Sequence, residues 1–130
     1  MKFLSQVDAN QKDMGVLAIV GDAVWSLFVR ERLALSHDYK SGQLSKETVK
    51  FVSAKAQCGI LYALNEILED SEKAFVKRAR NASHGTKAKN STIDEYNKAT
   101  AFEALLGYLR LTDNQNRLNE IMEFAFDKSK

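Results

Sequence analysis

The sequence contains no proline in 130 residues and only six glycines. These two residues punctuate turns, so their scarcity argues against a turn-rich β fold and for long helices joined by short polar connections. There is a single cysteine, Cys58. That excludes an internal disulfide framework and a cysteine-based zinc site, and a lone thiol of this kind is ordinarily a small buried core residue. No apolar run is long enough to span a bilayer, and the N-terminus lacks the basic-then-apolar order of a secretory signal. The expected location is the cytoplasm, with no membrane partner. Net charge is only +2, so the molecule as a whole does not attract nucleic acid electrostatically and any basic footprint must be local.

What is present suits one globular domain over residues 1–130, with 45% apolar and 28% charged residues and enough chain to bury a core. From Val16, the positions Ile19, Val20, Ala23, Val24, Leu27 and Phe28 recur at helical spacing and predict a helix over 15–35. Ser36 to Gly42 reads as a loop. A second helical pattern runs from Ser45 through Val49, Val52, Ala56, Ile60, Leu64 and Ile67, with a break expected at Cys58-Gly59 because glycine is costly in a helix interior. Ser71 is the expected cap of a helix to Ala82. Thr92 and Glu95 form a capping box for a helix to Leu111, and Asp113 is the expected cap of a last amphipathic helix. No stretch alternates as a strand does. The expected fold class is all-α.

Two of these helices carry an anomaly. Leu17 to Trp25 is apolar, yet holds Gly21 and Asp22 side by side; Ala99 to Tyr108 is apolar, yet holds Glu103 and Gly107. An ionised carboxylate on a buried face must be hydrated, paired or bound to a cation. Asp22 shares a stripe with Trp25, Ser26 and Val29, and Glu103 shares one with Tyr96, Ala99, Thr100, Leu106 and Gly107. Small residues on both helices permit a close crossing, at which Asp22 and Glu103 would meet. Two hard carboxylates on facing helices, completed by water and a phosphate, suit Mg²⁺, and such an ion can activate water against a phosphodiester. The plainer alternative is a pair of acids satisfied by neighbouring arginines or hydrogen bonds.

From Lys73 to Ile93 there is no acidic residue, while Lys73, Lys77, Arg78, Arg80, Lys87 and Lys89 all fall there. The run ends in a polar loop rich in hydrogen-bond donors. Basic groups near a metal are what a nucleic-acid backbone requires. With no aromatics interleaved, double-stranded RNA fits better than a single-strand stacking groove. His37 and His84 fall in expected loops without the spacing of a zinc site, and Trp25 reads as core.

The ordered set of motifs resembles the ribonuclease III catalytic domain. Gly21-Asp22-Ala23-Val24 looks like its signature core, and Phe102-Glu103-Ala104-Leu105-Leu106-Gly107 like its second acidic motif. Phe51-Val52-Ser53-Ala54-Lys55-Ala56-Gln57, Arg80-Asn81-Ala82, Gly85-Thr86 and Lys89-Asn90 are closer to the Mini-ribonuclease III branch. The resemblance implies the all-α helical bundle of that endonuclease domain, a homodimer, and Mg²⁺-dependent cleavage of double-stranded RNA to 5′-phosphate and 3′-hydroxyl ends, with Mn²⁺ as a substitute ion. It further implies maturation of the large-subunit ribosomal RNA precursor, with a ribosomal protein as a further partner. Asp22 and Glu103 would be catalytic and metal-binding, with Thr100 supporting them by orienting a water. Lys55, Arg78, Arg80, Lys87 and Lys89 would hold RNA. Full-length relatives carry further acids where this chain has Ala18 and Thr100, which leaves fewer ligands for metal. The rival reading is a non-catalytic double-stranded RNA or ribosome-binding module of the same fold.

Overall fold

The structure is a computed structural model that describes residues 2–82 and 92–129. Seven helices and no strand occur among the described residues. They are α1 (Gln6–Asn10), α2 (Met14–Ser36), α3 (Ser41–Val52), α4 (Ala54–Leu64), α5 (Asp70–Ala82), α6 (Ile93–Leu111) and α7 (Gln115–Ser129). None is long and apolar enough to cross a membrane.

Local chemistry sets most of the helix ends. The Asp13 carboxylate accepts from the N–H groups of Gly15 and Val16 and opens α2. Thr92 and Glu95 form the expected reciprocal capping box and open α6. Three expectations need correction. The long second pattern breaks at Ser53, not at Cys58-Gly59, which lies inside α4. Ser53 is extended, and its hydroxyl accepts from Ala56 N–H at 3.2 Å; a side-chain cap offers the backbone a bond that glycine cannot. Ahead of α2, Ser5 caps the short α1. Asp113 does not cap α7 but adopts a left-handed φ of 60°. It ends α6, with Asn114 N–H bonded back to Leu109 O at 2.9 Å. Ser71 is likewise not a cap: α5 begins a residue earlier, and Glu72 accepts from Glu69 N–H at 2.8 Å.

Helix α6 is the central element. It buries Ala99, Ala101, Phe102, Ala104, Leu105, Leu106, Gly107 and Leu109, and α2, α4 and α5 pack around it. One apolar cluster draws on α2 through α7. Its largest member, Trp25, is fully buried and meets Phe102 edge-on at 5.3 Å. Arg117 of α7 forks onto Glu72 of α5, with bonds of 2.7 and 2.9 Å, and reaches the Ile67 carbonyl at 2.8 Å. Burial works to raise the Glu72 pKa, but the Arg117 bonds outweigh it and hold the carboxyl below its ordinary value.

The packing of α2 on α6 goes to backbone contact. A Cβ added at Gly21 would lie 1.6 Å from the Glu103 carbonyl oxygen, and one at Gly107 would lie 1.9 Å from the Leu17 carbonyl oxygen. The clash is with backbone on both sides, so no side-chain rotation relieves it. Around Gly59 an added Cβ meets nothing within 4 Å. The prediction is a contrast between two helical glycines. Gly21→Ala destabilises by about 3 kcal/mol or more, because the helices must separate. Gly59→Ala is neutral or stabilises by up to about 1 kcal/mol, from helix propensity alone. Urea denaturation of both variants checks this, and equal effects would contradict the close crossing.

Candidate active site

The close crossing dictates where the two acids go. Asp22 follows Gly21 directly, and Glu103 supplies the carbonyl that Gly21 touches. Their carboxyl groups meet within hydrogen-bonding reach, as the small-residue pattern on both helices predicts. The expectation that both acids sit on buried faces holds only in part: Glu103 is half-buried and Asp22 is exposed. The pair is therefore asymmetric, with one carboxyl set into the bundle and one reaching out to solvent.

Electrostatics follow from this placement. Burial pushes the Glu103 pKa up to about 8, helped by the hydrogen bond to Asp22 and by its negative charge. A bond from Gln57 works in the opposite direction. Gln57 belongs to α4 and is 1% exposed. Its Nε2 donates to Glu103 Oε2 at 3.3 Å and to the Val52 carbonyl at 3.2 Å. Its Oε1 is buried and meets no donor among the described residues. An unmet buried acceptor ordinarily costs about 1–3 kcal/mol. In the sequence Gln57 stands only as the last position of the Phe51 to Gln57 motif, with no role expected of it. The available signal was a polar amide at helical spacing among the apolar positions Phe51, Ile60, Leu61 and Leu64.

The other expected residues are dispersed. Thr100 lies one turn before Glu103, half-buried, and its hydroxyl donates to the Tyr96 carbonyl at 2.9 Å. With its proton so engaged, it can orient a water only by accepting from it. Ala18 is buried one turn before Asp22. Arg80 lines a cleft of about 490 Å³ with Lys73, Lys77, Lys98 and the exposed Tyr62. Lys55 lies on a separate groove with Lys50 and Lys128. Arg78 is not gathered with Arg80. Two residues apart on a helix, they point to different faces, and Arg78 is taken up by Asn10 Oδ1 at 3.1 Å and the Phe75 ring. Lys87, Lys89 and His84 lie outside the described residues. His37 is exposed and stacks on Tyr39.

No group of three or more His, Cys, Asp or Glu side chains gathers among the described residues, so the donor set is two carboxylates. That set fits a hard divalent cation that keeps much of its water and takes the rest of its shell from a phosphate-bearing substrate. It also fits the strain in the pair: two carboxyls pressed together, one held protonated well above its ordinary range, are relieved by a cation between them.

Comparison with known proteins places this chain in a family. Residues 15–114 match the Ribonuclease III domain, a span that takes in both acids and runs from the first turn of α2 past the end of α6. The chain belongs to the ribonuclease III family and by that membership is an endoribonuclease, of a kind that works with a divalent metal. Among its relatives, a Mini-ribonuclease 3 of Brevibacillus brevis is 45% identical, over 92% of this chain and 89% of that protein. A Mini-ribonuclease 3 of Streptococcus pneumoniae is 38% identical, over 94% of this chain and 97% of that one. The fold is shared with a crystal structure of a Fusobacterium nucleatum protein, 29% identical, at a TM-score of 0.81, covering 92% of this chain and 96% of that one.

The raised Glu103 pKa makes a stability prediction. A carboxyl that titrates near 8 when folded and near 4.5 when unfolded binds a proton in the native state that the unfolded state has lost. Its contribution is full below the unfolded value and fades as pH rises through the folded one. In chelator, the melting temperature of the wild type should fall between about pH 5 and about pH 9, and Glu103→Gln should flatten that fall. Parallel profiles for the two proteins would contradict the burial and pairing of Glu103.

Proposed function

We propose that this ribonuclease cleaves double-stranded RNA with Mg²⁺, or Mn²⁺ in its place, held by Asp22 and Glu103, and that its substrate is the large-subunit ribosomal RNA precursor. The observation that carries the reading is the meeting of these two carboxyls at the backbone contact of α2 and α6. The relatives' name, Mini-ribonuclease 3, supports the substrate class. A ribosomal protein as accessory partner belongs to the same reading, and so does action as one domain.

The chemistry the ion supplies when bound is Lewis acidity, which neutralises charge at the scissile phosphate and makes water a better nucleophile. The chain's own residues do the rest. Glu103, half-buried and bonded by Gln57 of α4, gives a fixed oxygen; Asp22, exposed, reaches the substrate side. Thr100 accepts from a water and so aims its lone pair. Arg80 and Lys55 hold phosphates of the duplex, and the family resemblance gives Lys87 and Lys89 the same role; such contacts position RNA without reading its sequence. Arg78 serves this only by leaving Asn10.

A homodimer fits the surface of α2. Val16, Ile19, Ala23 and Leu27 recur at helical spacing and are all exposed, Ile19 at 73%. An apolar stripe of this length beside Asp22 is what a second copy would cover. The non-catalytic alternative lacks a comparable observation, since both acids are present and paired.

One assay set tests both parts. With a double-stranded RNA in Mg²⁺, the wild type cleaves and chelator stops it. Asp22→Asn should lower the rate by a factor on the order of 10³, the scale on which removing a charged group from a transition-state clamp is felt. RNA binding should be preserved. Ile19→Glu should sediment as a monomer and cleave poorly. Cleavage by Asp22→Asn at the wild-type rate would remove the metal-site reading, and an unchanged dimer in Ile19→Glu would remove the interface.

A further inference from the structure

The bend between α3 and α4 is wired to both acid-bearing helices. Ser53 is extended there, so the last carbonyls of α3 lack the helical N–H groups they would otherwise meet. Two of them are taken by side chains. Trp25 Nε1, three residues beyond Asp22 on α2, donates to the Phe51 carbonyl at 3.0 Å, in a buried bond. Gln57 Nε2 donates to the Val52 carbonyl at 3.2 Å and, with its second proton, to Glu103 Oε2 at 3.3 Å.

The Val52 carbonyl decides which end of the Gln57 amide faces the acid. Turning the amide over would set its oxygen against the Val52 carbonyl oxygen and the Glu103 carboxyl at once. Both amide protons are therefore committed, and Glu103 is offered a donor at a fixed place. The same orientation leaves Oε1 buried without a donor among the described residues, which works against stability. A methionine of similar length would fill the space without that penalty. What it could not supply is the pair of donors.

From this we propose that Gln57 is a positioning residue for the metal site: it pins one oxygen of Glu103 and leaves the other for a divalent cation shared with Asp22. The Ser53 bend is the frame that holds Gln57 in place, and Trp25 ties that frame to the helix of Asp22. This rests on the assignment of Asp22 and Glu103 as the metal-holding pair. The role is one of orientation, so its loss should weaken the binding of metal itself and not only turnover. Groups that orient metal ligands typically change metal affinity or activity by roughly 10- to 100-fold.

The test is calorimetric titration of Mn²⁺ into the wild type, Gln57→Met and Asp22→Asn, with thermal melts of each in chelator. Gln57→Met should melt near the wild type and bind Mn²⁺ roughly 10- to 100-fold more weakly, with RNA cleavage reduced at low Mn²⁺ and recovering as Mn²⁺ is raised. A folded Gln57→Met with unchanged Mn²⁺ affinity, while Asp22→Asn has lost it, overturns this proposal alone. Mn²⁺ binding that is indifferent to Asp22→Asn overturns the acid-pair assignment, and this proposal with it. Should Gln57→Met not fold, the wild type still decides. On titration with diamagnetic Mg²⁺, the Gln57 side-chain amide resonances should shift with the midpoint of the Glu103 signals. Resonances that do not move would overturn the role.

Discussion

Everything in this molecule that bears on function depends on two helices touching backbone to backbone. The contact exists because Gly21 and Gly107 have no side chains: a Cβ on either would penetrate a carbonyl of the opposite helix. Each glycine costs its helix about 1 kcal/mol of intrinsic stability. The return is an approach that brings the carboxyls of Asp22 and Glu103 together without any loop to position them. Rigid elements hold a site more tightly than loops do, and here the rigidity comes from the most buried helix in the fold.

The same contact creates an electrostatic conflict. Glu103 is drawn into the bundle and set against a second carboxyl, and burial and pairing together push it up to about 8. In a protein selected for stability alone, such a pair would be replaced by apolar side chains. Gln57 shows a parallel tension, with a buried acceptor left unmet so that two donors can face Val52 and Glu103. Both features lower stability and both converge on one point, which is the pattern expected where function overrides packing. A divalent cation resolves the first of them directly.

Much of this was legible in the sequence. The missing proline and the 3.6-residue periodicity gave the all-α class. The small residues beside Asp22 and Glu103 gave the crossing, since only a close approach explains glycine in the middle of two apolar helices. The capping box at Thr92 fixed the start of α6. What escaped has physical causes. Gly59 looks like the helix breaker by propensity, yet the helix breaks at Ser53, whose side chain caps α4. Asp113 looked like an N-cap because acids favour that position, yet it takes the left-handed conformation that ends α6. Asp22 was assigned to a buried face because its stripe contains Trp25 and Val29, but helical stripes have edges, and Asp22 is on one. Arg78 and Arg80 lie two residues apart in one basic run, which groups them in the sequence, but α5 turns them to different surfaces. The polar amide of Gln57 stands out among apolar positions of α4, but its partner Glu103 lies 46 residues away, and local pattern does not name a partner at that distance.

The most direct measurement is a crystal of the protein grown with Mn²⁺ and exposed at a wavelength where manganese scatters anomalously. The prediction is a single strong peak between the Asp22 and Glu103 carboxylates, with Glu103 Oε2 still bonded to Gln57. A hydrogen-bonded Asp22–Glu103 pair with no ion between them, at Mn²⁺ concentrations that support RNA cleavage in solution, would contradict the metal site at its centre.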